Sequence, residues 1–370
     1  MRSSDAVQDR PRISMRVKLR EMNISALASA GQLRRAKTAS ALARSTFVLT
    51  LHRIVPDDQM HLCRSPKGMV LRESLFVELL AYLKTNTTLL SPNGTPGHLQ
   101  PTQLPKVLLT FDDGWLDNLT VAQPHMTAAG VTACFFIPTR LTGKHQPFWP
   151  ERLIGLIQQA TQHNCLDRLH QSISSVATAA QVPCMVFDEE TGTESYLNFF
   201  KQLPPKILEE ALDKLDTTLQ RHTNDPSCDL DPLEQVMTWD QIRSMAQAGH
   251  KIGSHGCTHA ILPLLPQTQG RMELVNSASD LEEQVPHVKG TKQWLSYPNG
   301  STSDFLTCAA SIQGYQYAFT NSAGRWSSTS PLHRLPRINI WDGTLTDKDG
   351  HFSKQHLEYS LYWKTRHADR

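Results

Sequence analysis

Short apolar runs typical of buried strands alternate with helical segments from residue 47 onward. The run KVLLTF at 106–111 has the composition of a strand buried on both faces, and a segment of helical pattern follows it over 116–129. Further strand-like runs lie at 47–54, 132–138, 250–254, 293–297 and 317–320, and helical segments at 240–248, 270–285 and 303–313 separate the later ones. Repeated strand–helix alternation predicts a parallel α/β fold, either open or closed into a barrel.

One block, residues 151–235, interrupts this alternation. It carries fourteen acidic residues against six Lys/Arg, and its pattern is helical with prolines between the segments. A structureless loop of 85 residues inside a domain would be improbable, so we expect a helical insertion. We therefore divide the chain into a basic N-terminal leader (1–46), a main domain (47–345) that contains this insertion, and a C-terminal tail (346–370).

The charge of the chain is concentrated near its N-terminus. Lys+Arg number 37 and Asp+Glu 35, a formal net charge of +2, which gives no chain-wide case for nucleic-acid binding. Residues 1–46 instead hold ten Lys/Arg and three acids, a net of +7, with apolar residues such as Leu19, Met22 and Ile24 between them. This leader is predicted either to pack on the domain or to make peripheral contact with an anionic membrane.

Cysteine usage and the absence of long apolar runs bear on the compartment. The seven cysteines are scattered and form no CxxC pair, so we expect free thiols in a reducing compartment. No run approaches the roughly 18 apolar residues of a membrane span, and no apolar secretion-signal region is visible. These features predict a cytoplasmic protein, with peripheral contact to the inner membrane through residues 1–46.

Two adjacent carboxylates, Asp112 and Asp113, follow the KVLLTF strand and precede Gly114. Parallel α/β sheets and barrels place their active sites at the carboxyl ends of their strands. Two carboxylates at such a position are costly unless they hold a metal ion or a proton. At the end of the strand, one carboxylate can bind a metal while the other faces substrate; a plain Asp-Asp-Gly surface turn is the alternative.

Two histidines, His255 and His259, follow the strand at 250–254 in the sequence SHGCTH. A separation of four residues places two imidazoles on one side of a helical turn, where both can reach one ion. One Asp and two His would supply three protein ligands and leave a position open for water, as in catalytic zinc centres. The same ligands would also suit a non-haem iron centre.

A Pro-Asn-Gly turn, residues 298–300, ends the strand-like run QWLSY. A turn at such a position can direct a backbone N–H into the site as an oxyanion donor. The alternative is an ordinary turn.

Together these motifs and their flanks resemble the polysaccharide deacetylase family, also called the NodB-homology domain or carbohydrate esterase family four. The resemblance covers about residues 47–341 and is carried by LTLHRIVP, VLLTFDDGWLDN, GVTACFFIPTRL, FWPERL, TWDQIRSMAQAGHKIGSHGCTHAIL, WLSYPNG, GYQYAFTNSAG and RLPRINI. Similarity to this family implies a distorted (β/α) barrel of about seven strands.

The resemblance also implies roles for individual residues. Asp112 is expected to be the catalytic base. Asp113, His255 and His259 are expected to hold a divalent metal ion, with zinc as the expected ion. The backbone N–H of Asn299 is expected to help bind the oxyanion.

Two aromatic residues are predicted to contact substrate. Tyr297 stands directly before the Pro-Asn-Gly turn. Trp149, together with Phe148, stands where the insertion begins, so it either lines the path of the sugar or anchors the insertion.

Three features depart from the family pattern. Gly256 occupies a position where Ser or Thr is usual, and Ser296 stands where many members have an arginine that orients the base. We predict that Arg337 replaces this arginine, with Arg334 as the alternative. The family's Leu-x-His motif, which supplies the general acid, is not clearly present, and His333 is a candidate for that role.

The sequence thus predicts a metal-dependent hydrolase that removes acetyl groups, above all N-acetyl groups of amino sugars, from a polysaccharide or oligosaccharide. The alternative is a catalytically inactive relative that binds glycan or acts as a scaffold in polysaccharide assembly. A non-haem iron oxygenase would use the same ligands, but the α/β alternation weighs against it.

Overall fold

A computed structural model describes residues 15–43, 45–94, 102–144, 146–183, 192–223, 232–285 and 293–366. The strands within these ranges are β1 (Ser45–Leu51), β2 (Arg53–Val55), β3 (Val70–Arg72), β4 (Thr88–Leu89), β5 (Lys106–Phe111), β6 (Cys134–Ile137), β7 (Lys251–Ser254), β8 (Trp294–Ser296), β9 (Tyr317–Phe319), β10 (Trp326–Ser327) and β11 (Ile338–Asn339).

Helices connect these strands and cover the outside of the sheet. They are α1 (Met15–Ser29), α2 (Gln32–Leu42), α3 (Glu73–Asn86), α4 (Gln123–Ala129), α5 (Trp149–Gln162), α6 (Leu166–Ala180), α7 (Thr193–Phe200), α8 (Pro205–Thr223), α9 (Trp239–Gln247), α10 (Gln267–Gln284), α11 (Asp304–Gln313), α12 (Asp342–Leu345) and α13 (Lys354–Glu358). Two π-helical turns, Asn118–Ala122 before α4 and Tyr359–Trp363 after α13, adjoin them.

The main sheet has the strand order β10-β1-β5-β6-β7-β8-β9, with β11 paired to β1 and β4 paired to β5. Every pair in it is parallel except β1–β10. Seven strands on one path form a curled half-barrel, which confirms the predicted distorted (β/α) barrel.

The segment 335–339 connects the two sides of this half-barrel. Leu335 forms a parallel bridge with Phe319 of β9, and Ile338 pairs with Leu49 of β1. Arg337 therefore lies between the two points at which this segment joins the sheet, and its buried side chain enters the interior.

Both faces of the strands are buried, as the apolar runs in the sequence predict. Phe47, Leu49 and Phe111 face outward, into the core that the sheet shares with the surrounding helices. Val48 and Leu108, on the opposite face, belong to the cluster inside the barrel. This two-sided burial explains why the strands read as continuous apolar runs instead of alternating patterns.

The helical insertion is confirmed, and its helices α5 to α8 lie between β6 and α9 in the chain. They pack around a hydrophobic core of their own that includes Leu153, Phe199 and Leu212. The returning chain pairs with the main domain beside the Asp-Asp-Gly turn, where Val236 bridges Trp115. Both ends of the insertion thus lie at the carboxyl edge of the sheet.

The terminal segments pack on the main domain. Ile24 of α1 and Leu33 of α2 are buried, and His356 Nε2 lies 2.8 Å from Glu21 Oε1. Leu361 and Tyr362, which belong to the segment set apart as a tail, lie in the main core. That division needs correction, because the described part of 346–370 completes the core and does not trail from it.

None of the described helices is long and apolar enough to cross a membrane.

The burial of Leu361 gives a direct test of the contribution of the C-terminal segment. Leu361→Ala is expected to lower the free energy of unfolding by about 2–5 kcal/mol, because it opens a cavity in the main core. Ile312→Ala is the matched control, since Ile312 is 82% exposed on α11 and its loss should change stability by less than about 0.5 kcal/mol. Urea unfolding of both variants measures the difference, and equal midpoints would contradict the packing described here.

Candidate active site

The first part of the site is the turn that follows β5. Side chains alternate along a strand, so Asp112 continues the inward row of Leu108 and Thr110. Asp113 and Gly114 have φ values of 74° and 71°, which turn the chain sharply. In a regular strand, two neighbouring side chains would point to opposite faces. Because of this turn, both carboxylates are buried in the same site.

The second part is the loop that follows β7, which lies beyond β6 in the sheet. His255 N–H donates to the carbonyl of Ile137 at 2.9 Å, so His255 is fixed at the end of the strand. Gly256 and His259 have φ values of 72° and 58°. The expected helical turn is wrong, since the chain forms an irregular loop here, yet the two imidazole centroids lie 5.1 Å apart.

Asp113, His255 and His259 form a cluster that fits a metal ion. His255 Nε2 and His259 Nε2 lie 3.3 and 3.2 Å from Asp113 Oδ1, and one ligand atom from each residue lies within 4.8 Å of the others. Asp113 Oδ1 is buried and has no hydrogen-bond partner among the residues that the structure describes. Ligands at zinc–nitrogen distances of about 2.0–2.1 Å in a tetrahedron would be roughly 3.3 Å apart, so the donor set fits a divalent ion.

Surrounding groups hold two of these ligands in place. The Trp115 indole N–H donates to Asp113 Oδ2 at 3.2 Å, which leaves Oδ1 free for an ion. His255 Nδ1 lies 2.7 Å from the carbonyl of Ser296. A carbonyl acceptor fixes the proton on Nδ1 and directs the Nε2 lone pair toward the cluster, as outer partners of metal-bound histidines do.

Arg337 binds Asp112 with both arms of its guanidinium group. Nη1 donates to Oδ1 at 2.8 Å and Nη2 to Oδ2 at 2.7 Å. Ser296 Oγ accepts from Arg337 Nη2 at 2.8 Å and donates to Asp112 Oδ2 at 3.1 Å. The Arg337 side chain also donates to the Thr320 carbonyl and to Asn321 Oδ1. The structure therefore places Arg337 against Asp112, with Ser296 in the same network.

This network controls the charge of Asp112. Burial alone would raise the pKa of the Asp112 carboxyl, but the charge and hydrogen bonds of Arg337, together with the neighbouring His255 and His52, lower the pKa below its usual value. Asp112 is therefore ionised at neutral pH. His255 Nε2 lies 3.9 Å from Asp112 Oδ2, so this carboxylate adjoins the metal cluster.

Glu273 of α10 braces the histidine loop, and the sequence analysis missed it. Its carboxylate accepts from the backbone N–H of Cys257 at 2.7 Å and of Thr258 at 3.0 Å, and from the Thr258 hydroxyl at 2.9 Å. A Cβ at Gly256 would come within 3.2 Å of Glu273 Oε2. Gly256, where the family usually has Ser or Thr, thus fits both the positive φ of the turn and the close approach of Glu273.

The Pro-Asn-Gly turn lies next to this loop, since a Cβ at Gly256 would also contact Pro298 at 3.6 Å. Asn299 has a φ of 57° and follows the strand that carries Ser296. Tyr297 needs correction as a substrate contact. Its side chain is fully buried in a hydrophobic cluster, and its hydroxyl donates to the His333 carbonyl.

Trp149 is the first residue of α5. It is half-buried and packs against the hydrophobic core of the insertion, as the alternative interpretation of this residue held. Its neighbour Phe148 is the aromatic residue that adjoins the ligands, with its ring centroid 5.0 Å from that of His259 and 4.8 Å from that of Trp115.

Two further candidates are Arg334, which begins the RLPRINI segment, and His333, which directly precedes it. Arg334 is half-exposed and pairs with Asp304 at the surface, so it does not take part in the Asp112 network. His333 Nε2 lies 2.9 Å from the Tyr315 carbonyl. Neither residue belongs to the Asp-His-His cluster, and Arg334 instead lines a polar groove of the described structure.

His52 is a site residue that the sequence analysis missed. It follows β1, whose Leu51 pairs with Phe111, so His52 stands in register with Asp112 at the same edge. Its Nδ1 is buried, and no hydrogen-bond partner for it lies in the described part of the chain. Burial lowers the pKa of the imidazole, while the charges of Asp113 and Asp112 oppose that shift. A histidine directly after a strand that pairs with the Asp-Asp strand was the available signal.

The fold and the site together define the class of this protein. It is an α/β protein with a partial parallel barrel, and a buried carboxylate and a candidate Asp-His-His metal site lie at the ends of its strands. The sequence model of the polysaccharide deacetylase family matches residues 185–318, a range that includes both histidines and Asn299. Over this range, about a third of the chain, the sequence is similar to the polysaccharide deacetylase family.

One curated relative and two solved structures show how far the similarity extends. YxkH of Bacillus subtilis, described as a polysaccharide deacetylase, is 31% identical over 107 residues, which are 29% of this chain and 37% of that protein. The chain thus spans little more than a third of this relative's length.

The solved structures support the fold. The deacetylase PplD of Streptococcus pyogenes, solved in complex with acetate, has a TM-score of 0.50 at 18% identity, over 86% of this chain and 98% of its own. IcaB of Ammonifex degensii has a TM-score of 0.50 at 15% identity, over 81% of this chain and 93% of its own.

Asp113 lies in the candidate ligand cluster, whereas Asp112 is held by Arg337, and this difference gives a test of the metal site. Asp113→Asn is expected to weaken Zn²⁺ binding by more than about 100-fold, because even outer partners of ligands contribute about 10–100-fold. Asp112→Asn is the matched control and should leave binding nearly unchanged, because its oxygens are held by Arg337. Titration calorimetry of the metal-free protein measures both, and a greater loss in Asp112→Asn would contradict the assignment.

Proposed function

We propose that this protein is a metal-dependent deacetylase that hydrolyses acetyl groups, above all N-acetyl groups of amino sugars, from a polysaccharide or oligosaccharide. The observation that carries the proposal is the ionised Asp112, held by Arg337, beside the three candidate ligands Asp113, His255 and His259. This arrangement combines a base with a place for an electrophilic ion. The family and the fold of the solved deacetylases support the same reaction class.

The roles of the side chains follow from their positions. A divalent ion held by Asp113, His255 and His259 would polarise the acetyl carbonyl and acidify water. Asp112 accepts the proton of the attacking water, because Arg337 keeps its carboxylate ionised and oriented. The backbone N–H of Asn299 stabilises the oxyanion.

We assign the transfer of a proton to the leaving amine to His52: the neutral imidazole takes up the proton that Asp112 receives from the attacking water and passes it to the amine when the tetrahedral intermediate collapses. His333, the candidate from the sequence, lies against the Tyr315 carbonyl instead. His52 interacts electrostatically with Asp112 and Asp113, and within the described residues its Nδ1 has no hydrogen-bond partner. Its place in register with Asp112 therefore supports a direct role in proton transfer.

A polar groove beside the site supports a glycan substrate. Thr302, Ser303 and Ser322 line it together with Gly300, which follows Asn299. Thr320, whose carbonyl accepts from Arg337, also lines the groove. Hydroxyl groups at such a position can exchange hydrogen bonds with sugar hydroxyls. The acetate in the PplD structure, a product of deacetylation, agrees with this reaction class.

The second candidate is a catalytically inactive relative that binds glycan or acts as a scaffold. Two sequence features favour it, Ser296 in place of the family arginine and the absence of a clear Leu-x-His motif. The first of these is weakened, since Ser296 joins the Arg337–Asp112 network.

Acetate release from a panel of N-acetylated and O-acetylated oligosaccharides tests the proposal. Zn²⁺-loaded protein is expected to release acetate, and Asp112→Asn and His52→Gln are each expected to lower turnover by about 10²-fold or more while the metal stays bound. Lys84→Gln, at an exposed position on α3, is the matched control and should keep full activity. Binding of the same oligosaccharides without any acetate release would favour the scaffold instead.

The pH profile tests the role of Arg337. Arg337→Lys keeps the positive charge but loses the paired hydrogen bonds, so the pKa of Asp112 should rise toward its ordinary value. The base is then protonated at a higher pH, and the acidic limb of the turnover profile should shift upward. Lower turnover is expected with the metal content unchanged. An unmoved acidic limb with wild-type turnover would show that another group keeps Asp112 ionised.

A further inference from the structure

The near-zero net charge of the chain conceals a strong separation of charge. Residues 1–46 contain ten of the 37 Lys/Arg and three of the 35 acids, a net of +7. The remaining residues, 47–370, then hold 27 bases against 32 acids, a net of −5. A negatively charged surface would therefore attract the N-terminal segment and repel the rest of the protein.

One face of the α1–α2 hairpin is fixed to the domain. Ile24 and Leu33 are buried on this inner face. Glu21 Oε1 lies 2.8 Å from His356 Nε2, and Lys37 Nζ donates to Asn86 Oδ1 at 2.8 Å. These contacts hold the hairpin in place, so its opposite face has a defined orientation.

The outer face of α1 is apolar. Met15, Leu19 and Met22 are 72%, 58% and 69% exposed. Their spacing of four and three residues places them in one row along the helix. Leu42, at the end of α2, is also 69% exposed. Large exposed side chains in such a row are unusual on a free soluble surface and indicate a contact surface.

Basic side chains flank this apolar row. Lys18 adjoins Met22 on α1, and Arg34 and Arg35 are exposed on α2. None of these three forms an ion pair within the part of the chain that the structure describes. Their charge is thus available to a partner. A row of Met and Leu bordered by Lys and Arg is the pattern of a helix that lies in a membrane interface.

We propose that the outer face of the α1–α2 hairpin (Met15, Lys18, Leu19, Met22, Arg35 and Leu42) docks the protein on an anionic lipid bilayer. The apolar row enters the acyl boundary, while the basic side chains contact acidic headgroups. A lipid surface fits better than an acidic protein partner, because flexible Met and Leu side chains need no complementary pocket in lipid. The other possible occupant of this face is the acidic insertion of a second copy of this chain. The experiment below distinguishes it from lipid.

Co-sedimentation of the full chain with vesicles tests the proposal. Binding is expected to vesicles of phosphatidylglycerol and phosphatidylcholine, and not to phosphatidylcholine alone. Leu19→Glu/Met22→Glu should abolish it. Lys18→Gln/Arg35→Gln should weaken it by about 25-fold, since each basic side chain near an anionic surface contributes about fivefold. Ile312→Glu is the matched control, as an exposed apolar residue on α11, and should bind as the wild type does.

Two results would overturn the proposal. The first is equal binding of the wild type and the hairpin variants to the mixed vesicles. The second is concentration-dependent dimerisation in light scattering that the hairpin variants lose, in the absence of any vesicle binding; this would assign the face to a second copy. Zn²⁺ affinity, measured in parallel, should be unchanged in every variant, because no substituted residue belongs to the candidate active site.

Discussion

The paired hydrogen bonds between Arg337 and Asp112 are the interaction on which both the barrel and its site depend. Both groups are buried, and loss of either partner would leave an uncompensated charge in the interior, at a cost of about 3–5 kcal/mol. Arg337 stands on the segment that connects β9 to β1, so the same guanidinium that keeps Asp112 ionised also joins the two sides of the half-barrel. Closure of the half-barrel and ionisation of Asp112 therefore depend on the same side chain.

Backbone strain is concentrated in the loops that carry the site. Asp113, His259 and Asn299 all adopt positive φ, and residues without glycine's freedom cost about 1–3 kcal/mol each in such conformations. The surrounding contacts hold them there: Trp115 donates to Asp113, and Glu273 braces the histidine loop. These contacts offset the strain and bring groups from separate strands together.

The sequence was sufficient for the parts of the structure that depend on local pattern. Buried apolar runs predict the strands, and the positions of the Asp-Asp and His-x-x-x-His motifs at strand ends predict the metal cluster. Arg337 was found because the expected arginine was absent at Ser296. His52 and Glu273 were missed because their roles depend on strand register and on helix α10 packing beside a loop. Tyr297 was misplaced for a related reason, since a single sequence does not show which face of a strand end is covered.

The helical insertion is linked to the metal cluster through a short chain of contacts. Phe148 stands at its entry and packs on both Trp115 and His259, while Val236 at its exit bridges Trp115. The buried Arg53 guanidinium lies over the Trp115 ring at 4.1 Å and pairs with Asp117. Trp115 is thus held by the insertion and the barrel together, and its indole N–H in turn donates to Asp113. A change in the packing of the insertion would reach the candidate ligands by two routes, through Trp115 to Asp113 and through Phe148 to His259, without any substitution in these ligands.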